Sequence, residues 1–160
     1  YSSSAGGLNL ASGDLDGDGS DELVVAQTKG SEIRTYTADR QRLGTFTPRG
    51  PNFRQGWSIT AVDTDGDGRA EILATPNVAV AKAKILTLSG HGQEMRSWTA
   101  AGSTVGSLLL QAADLNGDGV SELLTAPQSG GGTLQQLSGT GKVLKQIKLT
   151  TTTFRSLTRL

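Results

Sequence analysis

The sequence predicts an all-β chain of three repeats, each made of four short antiparallel strands. Three observations predict it. An acidic, glycine-rich motif occurs three times, its first Asp at positions 14, 63 and 114, so the repeat length is 49 and then 51 residues. Every copy lies between short apolar runs of strand length, and a stretch with period-two alternation follows. No segment of the chain shows sustained helical periodicity.

The first strand of each repeat is read at Leu8-Asn9-Leu10-Ala11, at Trp57-Ser58-Ile59-Thr60-Ala61 and at Leu108-Leu109-Leu110-Gln111-Ala112. The motif comes next. It runs from Asp14 to Glu22, from Asp63 to Glu71 and from Asp114 to Glu122. Oxygen-bearing side chains stand at loop positions 1, 3, 5 and 9, with Gly at 4 and 6. Alternate carboxylates across so tight a turn converge on one point, and Gly at position 6 allows the sharp bend. Hard oxygen donors in a flexible loop suit Ca²⁺, which takes about 6–8 of them. The position-7 carbonyls of Ser20, Arg69 and Val120, with water, are expected to complete the set. Without a cation each loop would crowd like charges that repel. An EF-hand is excluded, because its loop needs a Glu at position 12 and these loops have Val25, Ala74 and Thr125 there.

A second strand follows each loop at Leu23-Val24-Val25, Ile72-Leu73 and Leu123-Leu124. The metal loop therefore joins two strands. The third strand alternates at Ile33-Arg34-Thr35-Tyr36, Ile85-Leu86-Thr87-Leu88 and Leu134-Gln135-Gln136-Leu137. A turn follows at Ala38-Asp39-Arg40, Gly90-His91-Gly92 and Gly139-Thr140-Gly141, where Gly takes positive φ freely. The fourth strand carries large apolar residues three apart: Leu43 and Phe46, Met95 and Trp98, Leu144 and Ile147. That spacing predicts a bulge or strong twist.

Four antiparallel strands per repeat of about 50 residues is the plan of a β-propeller blade. The expected blades are residues 1–52, 53–102 and 103–153, with 154–160 opening a further repeat or a closing strand. Phe154-Arg155-Ser156-Leu157 echoes Phe53-Arg54-Gln55-Gly56-Trp57, which opens the second repeat. Three blades leave two sheet faces open. The chain, which starts at Tyr1, is therefore expected to be a processed product or piece of a longer propeller, or a subunit that closes its ring by self-association. Two copies would make six blades.

Bulk composition narrows the chemistry. Aromatic residues are 4% of the chain and Gly numbers 22, so Leu, Val, Ile and Ala must build the core. There is no cysteine, hence no disulfide or thiol chemistry, and no transmembrane segment or signal peptide is expected. The formal net charge of zero hides a segregation. The loops hold all but three of the 15 acidic residues, the exceptions being Glu32, Asp39 and Glu94, while only Arg69 among the 15 basic residues lies in a loop. With its loops filled by Ca²⁺ the chain would be net positive. That favours an acidic partner such as an anionic glycan or lipid headgroups, and nucleic acid is not expected.

The repeats resemble the FG-GAP/VCBS repeats of integrin α-subunit propellers. The match is to an Ala-x-x-Asp-x-Asn/Asp-Gly-Asp-Gly-x-x-Asp/Glu-Leu core followed by a Gly-Ala-Pro-like end. It lies at Ala11-Ser12-Gly13-Asp14 through Leu23, Ala61-Val62-Asp63 through Ile72 and Ala112-Ala113-Asp114 through Leu123. The closing element survives as Thr125-Ala126-Pro127, is scrambled as Ala74-Thr75-Pro76, and is lost in the first repeat. The opening Phe-Gly is degraded in all three. The resemblance implies one Ca²⁺ per loop, on the face opposite the usual ligand site. The implied ligands are Asp14, Asp16, Asp18 and Glu22; Asp63, Asp65, Asp67 and Glu71; and Asp114, Asn116, Asp118 and Glu122. Asn116 in place of Asp lowers the charge of its loop and makes the third site the weakest expected. The family is mostly secreted or on cell surfaces, so an extracellular location is implied.

Three functions follow as expectations. The first is a binding or adhesion module with structural calcium. It would meet a protein or glycan ligand on the opposite face, through Lys29, Arg49, Asn52, Arg54, Asn77, Lys82 and Gly130-Gly131-Gly132. The second is a carbohydrate-binding lectin, for which Trp57, Trp98, Tyr36 and Phe53 are the candidate platforms, the first three expected in the core. The third is an enzyme such as a polysaccharide lyase. No catalytic residue is expected, because the sole histidine, His91, lies in a turn and the loop carboxylates are committed to metal.

Overall fold

A computed structural model describes residues 6–78, 83–100, 107–118, 120–128 and 132–149. The expected further repeat at 154–160 lies outside the described residues. Among those described, all regular structure is β, in three four-stranded antiparallel sheets. The first holds β1 (Leu8–Gly13), β2 (Glu22–Gln27), β3 (Ile33–Tyr36) and β4 (Arg42–Phe46). The second holds β5 (Trp57–Val62), β6 (Glu71–Pro76), β7 (Lys84–Leu88) and β8 (Glu94–Thr99). The third holds β9 (Leu108–Ala113), β10 (Glu122–Pro127), β11 (Gly132–Leu137) and β12 (Val143–Leu149). In each sheet the strands lie in chain order. We call the sheets blades 1, 2 and 3.

The blades stack through their first strands, β1 against β5 and β5 against β9. Two apolar seams result. Val24, Ala26 and Ile33 of blade 1 meet Trp57, Ile59, Ile72 and Leu88 of blade 2. Leu73 and Ile85 on the other side of blade 2 meet Leu108, Leu110, Leu123 and Leu137 of blade 3. The middle blade is thus covered on both faces, and every residue of β6 is buried. Trp57 fills the first seam, fully buried, its ring 4.6 Å from that of Phe53 and its Nε1 donating to the Ser31 carbonyl at 3.0 Å. Trp98, Tyr36 and Phe53 are half-buried. None of the four aromatics stands free as a sugar platform.

The three-residue spacing on the fourth strands is a bulge, repeated in every blade. Thr35 pairs with Gly44 while Tyr36 pairs with Arg42, so Leu43 is the extra residue. Met95 is skipped in the same way between Arg96 and Glu94, and Leu144 between Lys145 and Val143. An extra residue reverses the alternation. The skipped residues are accordingly about half exposed, while Phe46 and Trp98 turn back against the seams.

This division has a measurable consequence. Trp57→Ala should lower the free energy of unfolding by about 3–5 kcal/mol, the usual cost of emptying a buried aromatic site. Met95→Ser, at the exposed bulge on β8 at the other edge of the same blade, should change it by only about 0.5 kcal/mol. Denaturant unfolding of the two variants checks the contrast, and equal losses would contradict the seam.

Candidate metal centre

Each acidic loop closes the hairpin between the first two strands of a blade, after Gly13↔Glu22, Val62↔Glu71 or Ala113↔Glu122 as the last pair. The first Asp organises the turn. Asp14 Oδ1 accepts from the amides of Gly17 (2.6 Å) and Asp18 (3.2 Å), and its Oδ2 from Gly19 (2.8 Å). Asp63 does the same with Gly66 (2.6 Å), Asp65 (3.1 Å) and Gly68 (2.9 Å). In the third loop Asp114 Oδ1 accepts from Gly117 at 2.7 Å. The amides can point inward because Gly17, Gly19, Gly66, Gly68 and Gly117 all take φ of 78–88°. Position 5 caps the far side, with Asp18, Asp67 and Asp118 each accepting the amide two residues on, from Ser20, Arg69 and Val120, at 2.8 Å.

The position-9 glutamates hold the base of each loop. Glu22, Glu71 and Glu122 are each only 4% exposed. Their Oε2 atoms accept the position-2 amides of Leu15, Thr64 and Leu115, all at 2.9 Å, and the Thr64 hydroxyl also donates to Glu71. A buried carboxylate without a donor would cost several kcal/mol, so this bond fixes where the second strand starts. The spacing of the motif did not reveal it, since position 2 carries Leu, Thr and Leu and the bond common to all three loops comes from the backbone.

The electrostatics separate the carboxylates. The amide of Gly19 foremost holds the Asp14 carboxyl below its ordinary value; desolvation is the next largest effect and opposes it, and the amides of Gly17 and Asp18 add to the lowering. Burial pushes the Asp63 carboxyl up, but the amides of Gly68 and Gly66 outweigh it and leave it lowered. Glu71 is raised. Burial is the main cause, the two Thr64 bonds resist it, and the nearby charges of Asp65 and Asp63 add to it. The second loop thus holds carboxylates pushed in opposite directions.

The structure brings together carboxylate oxygens of Asp14, Asp16 and Asp18 within 4.8 Å of one another, and likewise those of Asp63, Asp65 and Glu71. Glu22 and Asp67 are not among these groups of three; Glu22 accepts the Leu15 amide and Asp67 the Arg69 amide. In the third loop the Asn116 side-chain amide donates to Asp118 Oδ2 (3.0 Å) and Glu122 Oε1 (2.6 Å), so it draws those carboxylates together as a cation would, at lower charge. The donor set is all oxygen, mostly carboxylate, on glycine-rich turns. It fits a hard divalent ion of the Ca²⁺ type, with the Ser20, Arg69 and Val120 carbonyls as the backbone donors of position 7.

At the opposite end of the strands, Lys29, Arg49, Asn52 and Arg54 are exposed. Arg54 Nη1 folds back onto the carbonyls of Pro51 (2.5 Å) and Phe53 (3.0 Å). Asn77 is structural, its Nδ2 donating to the Thr28 carbonyl at 3.0 Å across the first seam. Lys82, Gly130 and Gly131 lie outside the described residues. His91 is exposed at the turn between β7 and β8.

No curated protein is a significant match to the chain. Among the solved structures that share its fold are three lyases. Rhamnogalacturonan lyase YesW matches with a TM-score of 0.67 and 18% identity, over 93% of this chain and 37% of that one. The exotype rhamnogalacturonan lyase YesX matches with a TM-score of 0.62 and 19% identity, over 86% and 32%. Rhamnogalacturonan lyase PL11 of Bacillus licheniformis matches with a TM-score of 0.62 and 18% identity, over 88% and 33%. The chain spans about a third of the length of these lyases. Residues 4–74, which contain the first two acidic loops, match the FG-GAP-like repeat.

Proposed function

We propose that this chain is a calcium-stabilised β-propeller segment of an extracellular binding protein, in which the metal is structural. The observation that carries the reading is the convergence of carboxylate oxygens within 4.8 Å in each of the first two loops, whose position-9 glutamates are 4% exposed. Asp14, Asp16, Asp18 and Glu22 hold the first ion, with the Ser20 carbonyl. Asp63, Asp65, Asp67 and Glu71 hold the second, with the Arg69 carbonyl. Asp114, Asn116, Asp118 and Glu122 hold the third, with the Val120 carbonyl. The ion offsets charge that the fold crowds together. It thereby fixes the loop and the register of the two strands it joins. A secreted location, where Ca²⁺ reaches millimolar levels, would keep even a weak site filled.

Likeness to three rhamnogalacturonan lyases favours a second reading, in which the segment belongs to a larger carbohydrate-acting protein. On that reading the chain contributes scaffold and binding surface, and bond cleavage lies elsewhere. The exposed Lys29, Arg49 and Arg54 supply positive charge suited to an acidic polysaccharide.

Removing calcium tests the first reading. A site held at 100 times its Kd contributes about 2.7 kcal/mol, and 1 kcal/mol moves the melting temperature of a chain this size by about 2–4 °C. Chelation should therefore lower the melting temperature by at least ~5 °C, and an unchanged melt in EGTA would sink structural calcium. Calorimetric titration should resolve the third site as the weakest. Asn116→Asp should tighten it about tenfold by supplying a full carboxylate, and no tightening would remove Asn116 as the cause. For the second reading, the chain should bind rhamnogalacturonan oligosaccharides in calorimetry without cleaving them, with Lys29→Glu and Arg54→Glu each weakening binding several-fold. Cleavage by the chain itself would place catalysis within it.

A further inference from the structure

The two seams repeat one set of contacts, and that set gives a role to the outer face of blade 3. Blade 1 presents Val24, Ile33 and Phe46 to blade 2, and blade 2 presents Leu73, Ile85 and Trp98 to blade 3. The loop residues at position 2, Leu15 and Thr64, sit against the following blade as well, 8% and 5% exposed. In blade 3 the same places belong to Leu124, Leu134, Ile147 and Leu115. Val24, Ile33, Leu73 and Ile85 are fully buried, whereas Ile147 is 46% and Leu115 53% exposed, and Leu124 and Leu134 are half-buried. Blade 3 therefore carries the surface with which its predecessors grip the next blade, and nothing among the described residues covers it.

The receiving side is equally specific. It is the hairpin between the third and fourth strands of the following blade. A Cβ at Gly90 would stand 2.9 Å from the Leu15 carbonyl oxygen, and one at Gly139 would stand 2.3 Å from that of Thr64. No change of side chain on the facing loop relieves contact with a backbone oxygen. A Cβ at Gly92 would come 2.3 Å from the Phe46 ring, and one at Gly141 would come 2.5 Å from the Trp98 ring. Blade 1 has Ala38 and Arg40 at these two places. Arg40 keeps the left-handed φ, 65°, that Gly92 and Gly141 also take. Its hairpin thus follows the same path but adds the two Cβ atoms for which the seam has no room.

We infer that the outer face of blade 3 is a docking surface for a further four-stranded blade whose third-to-fourth hairpin has glycine at both places, and that blade 1 of a second copy does not fit it. An isoleucine at 147 is smaller than the rings of Phe46 and Trp98 and leaves some space over Arg40. The Ala38 methyl still meets the backbone of the loop at Leu115. Six-blade closure by two copies, one of the outcomes expected from the sequence, is therefore disfavoured by one methyl group at a backbone contact. The partner is a further repeat of the same kind.

Converting blade 1 into the missing partner tests this in the full-length chain. Ala38→Gly with Arg40→Gly restores both glycines, and the second change suits a left-handed residue. In sedimentation velocity with Ca²⁺, the double variant should self-associate at least tenfold more tightly than wild type, and adding Ile147→Lys should abolish the gain. The inference is overturned if the folded double variant associates no more tightly than wild type. It is also overturned if wild type already self-associates in a manner that Ile147→Lys removes. Should circular dichroism show the double variant unfolded, wild type against Ile147→Lys alone decides: association lost on substitution overturns the inference, and monomers in both uphold it.

Discussion

A carboxylate removed from water must find donors or a cation, and this chain concentrates that requirement in three turns. All but three of its acidic residues lie there. The fold meets part of the demand with its own backbone. Asp14 and Asp63 each gather three amides, and the buried glutamates Glu22, Glu71 and Glu122 each take one from position 2. With these bonds in place, carboxylate oxygens of Asp14, Asp16 and Asp18, and of Asp63, Asp65 and Glu71, lie within 4.8 Å of one another. The proposed cation completes what the amides begin, and the raised Glu71 shows the direction of the strain it would relieve.

The same residues tie the loops to the seams. Leu15 gives its amide to Glu22 and its side chain to the first seam, and its backbone lies under Gly90 of blade 2. The neighbouring Asp14 carbonyl accepts the Ala70 amide of the second loop at 2.6 Å. Thr64 repeats the arrangement toward Gly139 of blade 3. An ordered loop is therefore part of the contact surface between blades. Loosening one loop would disturb the stacking as well as its own hairpin.

Much of this was legible in the sequence because it is periodic. The repeat length, the strand–loop–strand order and the bulge at Leu43, Met95 and Leu144 all follow from spacing. What spacing could not show is which contacts cross between repeats. Gly90 and Gly139 read as turn residues, yet neither takes positive φ, and both are glycine because the preceding loop's backbone leaves no room for a Cβ. Their partners Gly92 and Gly141 combine both reasons. Trp57 and Trp98 look alike as strand tryptophans. One fills a seam completely and the other sits half-buried beside Gly141, a difference set by the neighbouring blade and not by local pattern. Asn77 looked like a ligand-face residue, but its side chain is spent bridging to Thr28.

The topology also constrains how a metal could influence a ligand. The acidic loops lie at one end of the blades, while the β2–β3 connection and the segment from β4 to β5 lie at the other. The strands between are mostly six residues long, and at about 3.3 Å per residue they separate the two ends by roughly 20 Å. The Debye length at physiological salt is about 8 Å, so little of the ion's field would reach a ligand at the far end. Any calcium dependence of binding must then pass through strand order. The register fixed at Gly13↔Glu22 continues without a break to Leu8↔Gln27, and there the Gly7 carbonyl accepts the Thr28 amide at 2.9 Å. The Asn77 side chain joins Thr28 to the next blade. A loop held at one end thus sets the geometry of the other through an unbroken ladder, which is the sense in which a structural ion can govern a remote surface.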